Sequence, residues 1–171
     1  GVHVLDWLGV SRWGQGWHLP HLARNPLASV AAIVDAAPHP TSSLNPKLLP
    51  LQDLGALYGC PTYGSVRELL ADEGVSGSLD GCVVSVPHAA HAAVGLELLR
   101  WAERAKDDKK KGLHILMEKP FTTDVDEAIT LAEAAEANPS GLFFVNHSAN
   151  WRAQTELACK AIAEGRIGSV E

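Results

Sequence analysis

Four short, almost unbroken apolar runs recur along the chain: VAAIVD at 30–35, GCVVSVP at 81–87, LHILMEKP at 113–120 and GLFFVNHS at 141–148. A strand with one face in water alternates apolar and polar residues. A continuous apolar run instead marks a strand buried on both faces, as in a parallel sheet covered by helices. The segments between the runs have helical spacing. In TDVDEAITLAEAAEAN (123–138), Val125, Ala128, Ile129, Ala132 and Ala135 fall on one face, and Thr123 with Asp126 three positions later offers a capping-box start. Residues 65–72, 88–105 and 151–165 also read as helices, whereas the Pro- and Ser-rich stretch 37–50 and the charge run 105–112 read as loops. Repeated β–α alternation with right-handed crossovers predicts an α/β fold, a doubly wound parallel sheet (Rossmann-like) with helices on both faces. No internal repeat is present.

The 171 residues suffice for a buried core without disulfides. A formal net charge of −6 gives no reason to expect nucleic acid or an anionic membrane as partner. No apolar run reaches the length of a membrane span, and the first residues lack the basic and apolar regions of a secretory leader. The absence of a starting Met leads us to expect a processed or partial chain. Cys60, Cys82 and Cys159 form no CxxC pair and are odd in number, which argues against a disulfide framework and against a cysteine zinc site. They are expected to be reduced, mostly buried thiols in a cytoplasmic protein.

Gly9-Val10-Ser11-Arg12-Trp13-Gly14 has the spacing of the dinucleotide fingerprint G-x-G-x-x-G, with Ser11 at the middle glycine. The first glycine allows a tight turn, the second gives a pyrophosphate room at the helix N-terminus, and the third lets helix and strand pack closely. Serine at the middle position is small and can donate a hydrogen bond to phosphate. Gly9, Ser11, Arg12, Trp13 and Gly14 are therefore candidate cofactor contacts; an ordinary glycine-containing βα turn is the competing explanation. Asp35, which ends the run at 30–35 that reads as the second strand, stands where an acidic residue receives the adenosine ribose hydroxyls. Such a carboxylate would repel a 2′-phosphate and favour NAD over NADP, with no arginine in the following residues to reverse the preference. The plainer explanation is that Asp35 only caps the loop after it.

The run at 113–120 turns ionic at its end, placing Glu118 and Lys119 directly before Pro120. Charges at the mouth of a core strand either emerge into water as a weak surface pair or serve something bound there. The order of the segments decides how we read it: the glycine turn, YGCPTYGSVRELLAD, LDGCVVSVPHAAHAAVGLELL, GLHILMEKPFTTDVDEAITLAEAA and finally Gly165-Arg166-Ile167-Gly168. Over essentially its whole length the chain resembles the glucose–fructose oxidoreductase/inositol dehydrogenase (Gfo/Idh/MocA) family of NAD(P)-dependent sugar oxidoreductases.

The resemblance implies that Glu118-Lys119-Pro120 lies beside the nicotinamide and the substrate. Lys119 would be catalytic, bonding the substrate hydroxyl or carbonyl and shuttling its proton. Glu118 would orient Lys119 or touch the cofactor, and Pro120 would fix the turn through a cis peptide. Ser85, Val86 and Pro87 match the segment under the nicotinamide ribose. His88, His91 and Asn146, with His147, are assigned to the same crevice. His18-x-x-His21 and His88-x-x-His91 could each face one way on a helix, but no third ligand stands at metal spacing, so no metal is expected. His18 and His21 read as structural, and Trp13 and Trp17 as packing residues first. The implied substrate is a small sugar, inositol or related polyol. The implied domains are a dinucleotide-binding domain at 1–148 and a linking helix with the start of a truncated second domain at 149–171. That second domain would complete the proton relay and carry the contacts of a homo-oligomer. Against the pattern stand Ser11, the charge run 105–112, and Asp6 with Trp7 in the first strand, which point to an irregular strand there. A noncatalytic nucleotide-binding regulatory module of the same fold is the alternative function.

Overall fold

The structure, a computed structural model, describes residues 3–9, 13–104, 112–138 and 140–169. Six strands, β1 (His3–Leu8), β2 (Ala28–Val34), β3 (Thr62–Tyr63), β4 (Gly81–Val84), β5 (His114–Glu118) and β6 (Phe143–Asn146), form one sheet in the order β3-β2-β1-β4-β5-β6. Every neighbouring pair is parallel, so all six carboxyl ends lie along one edge. The chain direction across the sheet reverses at β1, which lies between β2 and β4. This is the switch point at which open α/β sheets leave a crevice for ligands.

Side chains of successive strand residues point to opposite faces. Ile33 and Val83 pack with Leu19 of α1 (Leu19–Arg24) and with Leu51 and Leu54 of α2 (Leu51–Tyr58). Ala32, Val34, Val84, Ile115 and Met117 pack on the other face. The helices there are α3 (Val66–Ala71), α4 (Glu73–Ser76), α5 (His91–Arg104) and α6 (Val125–Glu136). Burial on both faces is why these strands read as unbroken apolar runs. It holds fully for β4, whose four residues are all buried, and weakens outward to Phe144 of β6, which is 42% exposed. The last helix, α7 (Ala153–Ala163), buries no residue. Among the described residues no helix is long and apolar enough to cross a membrane.

Several expectations need correction. The inward face of α6 is carried by Leu131, fully buried, with Ala134 and Ala135 beside it. Val125 and Ile129, expected inside, are 73% and 52% exposed. The cap is Asp124, whose Oδ1 accepts the N–H groups of Asp126 and Glu127 at 2.9 and 3.0 Å, and not Thr123. Cys82 is buried, but Cys159 is exposed. The irregularity anticipated around Asp6 is present as a register shift between Leu5 and Asp6, in a central strand of the sheet. The charge run 105–111 lies outside the described residues.

Candidate functional site

Gly9 ends β1 with φ +91°, a left-handed value that L side chains rarely adopt. A Cβ there would stand 2.5 Å from the carbonyl oxygen of Ser85 and 2.8 Å from the backbone nitrogen of Val86. The missing side chain is thus what lets the β1 turn lie against the end of β4. Gly9 also borders a crevice of about 570 Å³, walled by Asp35, Val66, Val86, Pro87 and Glu97 among others. Ser11 and Arg12 lie outside the described residues. Gly14 is buried and opens a π turn, Gly14–His18, in which the N–H of Leu19 donates to the Gly14 carbonyl.

Asp35 does what the plainer explanation assigned to it: its Oδ1 accepts the Ala37 N–H at 2.7 Å. It also borders the crevice, and its own N–H donates to the Tyr63 carbonyl. Among the described residues bordering the crevice, the charged ones are Asp35 and Glu97, both acidic. Trp13 is not in the crevice wall. It is 51% exposed and shares a separate shallow hollow with Trp17 and Leu44, which corrects its reading as a packing residue.

At the end of β4, Ser85 is buried, Pro87 borders the crevice and His88 is exposed. His91 is 0% exposed, so its assignment as a cofactor contact is overturned. Its Nδ1 lies 2.7 Å from the Pro120 carbonyl and its Nε2 3.1 Å from the Val86 carbonyl. The ring ties the segment after β4 to the segment after β5 from behind.

The ends of β5 and β6 carry the densest polar contacts. Glu118 and Asn146 are register partners, and Asn146 Nδ2 donates to Glu118 Oε1 at 2.7 Å. His18 Nε2 reaches the same oxygen, also at 2.7 Å, from the π turn. Lys119 follows, exposed, joined to Pro120 by the expected cis peptide. Among the described residues no carboxylate pairs with its ammonium, so Glu118 does not orient Lys119 by a direct ion pair. Sequence reasoning missed His18, because nothing local distinguishes it from His21. Only the contact across 100 positions marks it. His147 is exposed, with its N–H donating to Val145 O. Among the described residues no group of three or more His, Cys, Asp or Glu is placed to hold a metal.

The topology and the glycine-lined crevice define an α/β domain of the dinucleotide-binding kind. Residues 8–147 match the model of the GFO_IDH_MocA oxidoreductase family, NAD-binding Rossmann fold, and the chain belongs to that family. It is 38% identical over 79 residues to D-xylose 1-dehydrogenase (NADP(+)) 2 of Haloferax volcanii, covering 46% of this chain and 20% of that protein. It is 32% identical over 123 residues to D-xylose 1-dehydrogenase (NADP(+)) of Hypocrea jecorina, covering 70% of this chain and 27% of that protein. Its fold is similar to the WlbA dehydrogenase from Bordetella pertussis, solved with NADH and UDP-GlcNAcA, with a TM-score of 0.75 and 22% identity over 98% of this chain and 41% of that one. The chain therefore spans less than half the length of the proteins it matches.

Proposed function

We propose that this chain holds NAD in the crevice at β1, β2 and β4, and that the protein transfers hydride between the nicotinamide and a CH–OH carbon of a sugar, inositol or related polyol. The observation that carries the reading is Lys119: an ammonium with no carboxylate partner among the described residues, on the same sheet edge as the crevice and following the strand next to β4. The crevice fits a dinucleotide by its own features. The tight left-handed turn at Gly9 brings the ends of β1 and β4 together beside the crevice, Asp35 accepts from ribose hydroxyls, and Val66 and Val86 offer apolar walls to an adenine.

A bound nicotinamide supplies or accepts the hydride. Lys119 Nζ hydrogen-bonds the substrate oxygen and carries its proton, a role that contributes about 10²- to 10⁴-fold in rate. Asp35 and Glu97 offer no counter-charge to a 2′-phosphate, which supports NAD over NADP. The two xylose dehydrogenases carry NADP(+) in their names, so the preference is a property to be measured on this chain. Those names support a sugar as the substrate class. Residues 1–148 form the cofactor domain in this reading, and 149–171 lead into a further domain that completes the substrate pocket and the contacts of a homo-oligomer.

The test is nicotinamide absorbance at 340 nm with the complete protein, NAD and a panel of aldoses and inositols, alongside Lys119→Ala. Turnover that falls at least 100-fold in the variant, with nucleotide affinity kept, supports the reading. Nucleotide binding without turnover of any polyol favours a noncatalytic regulatory module. Unchanged turnover in the variant removes Lys119 from its role.

A further inference from the structure

We propose that His18 is a positioning residue that holds the Glu118 carboxylate away from Lys119, an inference that rests on the hydride-transfer reading of this site. Glu118 and Lys119 are adjacent in sequence, so a carboxylate freed from its present partners can swing toward the exposed ammonium and attract it. Paired, Lys119 would have its hydrogens and its charge committed before any substrate arrived. The structure places the carboxylate elsewhere. One oxygen, Oε1, takes both Asn146 Nδ2 and His18 Nε2 at 2.7 Å each.

A carboxylate oxygen only accepts, so Nε2 is the nitrogen of His18 that carries a hydrogen toward it. The side chains of His18 and Glu118 are only 13% and 19% exposed, and hydrogen bonds to an ionised group are strongest where water is scarce. Asn146 alone could follow Glu118 in a swing toward Lys119 by a rotamer change. His18 comes from a different element, packed under the sheet edge by the buried Leu19 next to it, and fixes the carboxylate from a second direction.

The π turn is the device that brings it there. Its i to i+5 bond, Leu19 N–H to Gly14 O, fits one residue more into the turn than an α-helix does. An α-helical turn advances about 100° per residue, so one residue fewer would rotate the His18 position off Glu118 by about that angle. The turn also leaves Trp17 half exposed while His18 faces inward. A single-turn π segment of this kind commonly sits where side-chain direction matters for function.

The test reads Lys119 directly, without catalysis. The chain is acylated with limiting acetic anhydride, and the rate at Lys119 is measured by peptide mass spectrometry against exposed Lys47 as internal reference. His18→Leu is expected to slow acylation of Lys119 at least threefold, because the released carboxylate pairs with the ammonium. His18→Gln, which keeps an N–H donor, is expected to restore the rate. In a Glu118→Gln background, His18→Leu is expected to have no effect. In the complete protein the same His18→Leu change should lower kcat at least tenfold at unchanged KM for the nucleotide, with His18→Gln recovering it. A Lys119 rate unaffected by His18→Leu, or equally slowed with Gln at position 118, overturns the proposal. Absent turnover in the unaltered protein would count against hydride transfer alone, since the labelling reads the Glu118–Lys119 relation by itself.

Discussion

Gly9 and Ser85 meet backbone to backbone: a Cβ on Gly9 would stand 2.5 Å from the Ser85 carbonyl oxygen. This contact joins the turn after β1 to the end of β4, the two strands between which the crevice opens. Gly9→Ala meets two penalties. The left-handed backbone costs about 1–2 kcal/mol for a residue with a Cβ, and the Ser85 peptide must also shift. We predict a loss of at least that size in urea denaturation, together with a drop of tenfold or more in NADH affinity. A variant with unchanged stability and affinity would mean that the approach of the two segments is not needed.

His91 gives a prediction of the opposite kind, stability without cofactor contact. Its two ring nitrogens face the carbonyls of Val86 and Pro120 in a fully buried position. Replacing it by Leu keeps the volume and removes the ring N–H that donates to one of these part-buried carbonyls, a loss of about 1–3 kcal/mol where the group is left unsatisfied. Chemical denaturation should show a loss of about 2 kcal/mol or more for His91→Leu and under about 0.5 kcal/mol for exposed His88→Leu. Equal effects at the two positions would contradict the assignment.

Asp35 should decide coenzyme choice. Its carboxylate borders a crevice whose other described charged residue, Glu97, is also acidic. Asp35→Ser removes the repulsion of a 2′-phosphate and the acceptor for ribose hydroxyls together. The ratio of NADPH to NADH affinity should rise at least tenfold, measured by quenching of tryptophan fluorescence. An unchanged ratio would leave Asp35 as the cap of its own loop and nothing more.

The start of α6 tests a local point. Asp124 accepts two N–H groups of the first turn, so Asp124→Ala should cost about 1 kcal/mol. Thr123→Ala should cost a few tenths at most, and thermal melting of the two variants separates them.

The sheet was legible because burial on both faces removes polar residues from its strands, and the ionic end of β5 stood out against that background. Other features carried no such mark. The stripe read on α6 chose Val125 and Ile129 and omitted Leu131, because two overlapping apolar stripes on a helix differ only in which one the sheet covers. His88 and His91 look alike in sequence, yet one is in solvent and the other in the core, a difference visible only in tertiary contacts such as that of His91 with Pro120, 29 positions away. The two residues of β3 are too few to show a period and are set by pairing with Ile33 and Val34. The π turn leaves no composition signal. It is visible only in the bond from Leu19 to Gly14 and in where that bond sends His18.

The most direct measurement is a calorimetric titration of the folded protein with NADH and, separately, with NADPH. NADH is expected to bind with micromolar affinity or better, more tightly than NADPH, and Gly9→Ala to weaken that binding tenfold or more. A protein shown to be folded that binds neither nucleotide would contradict it.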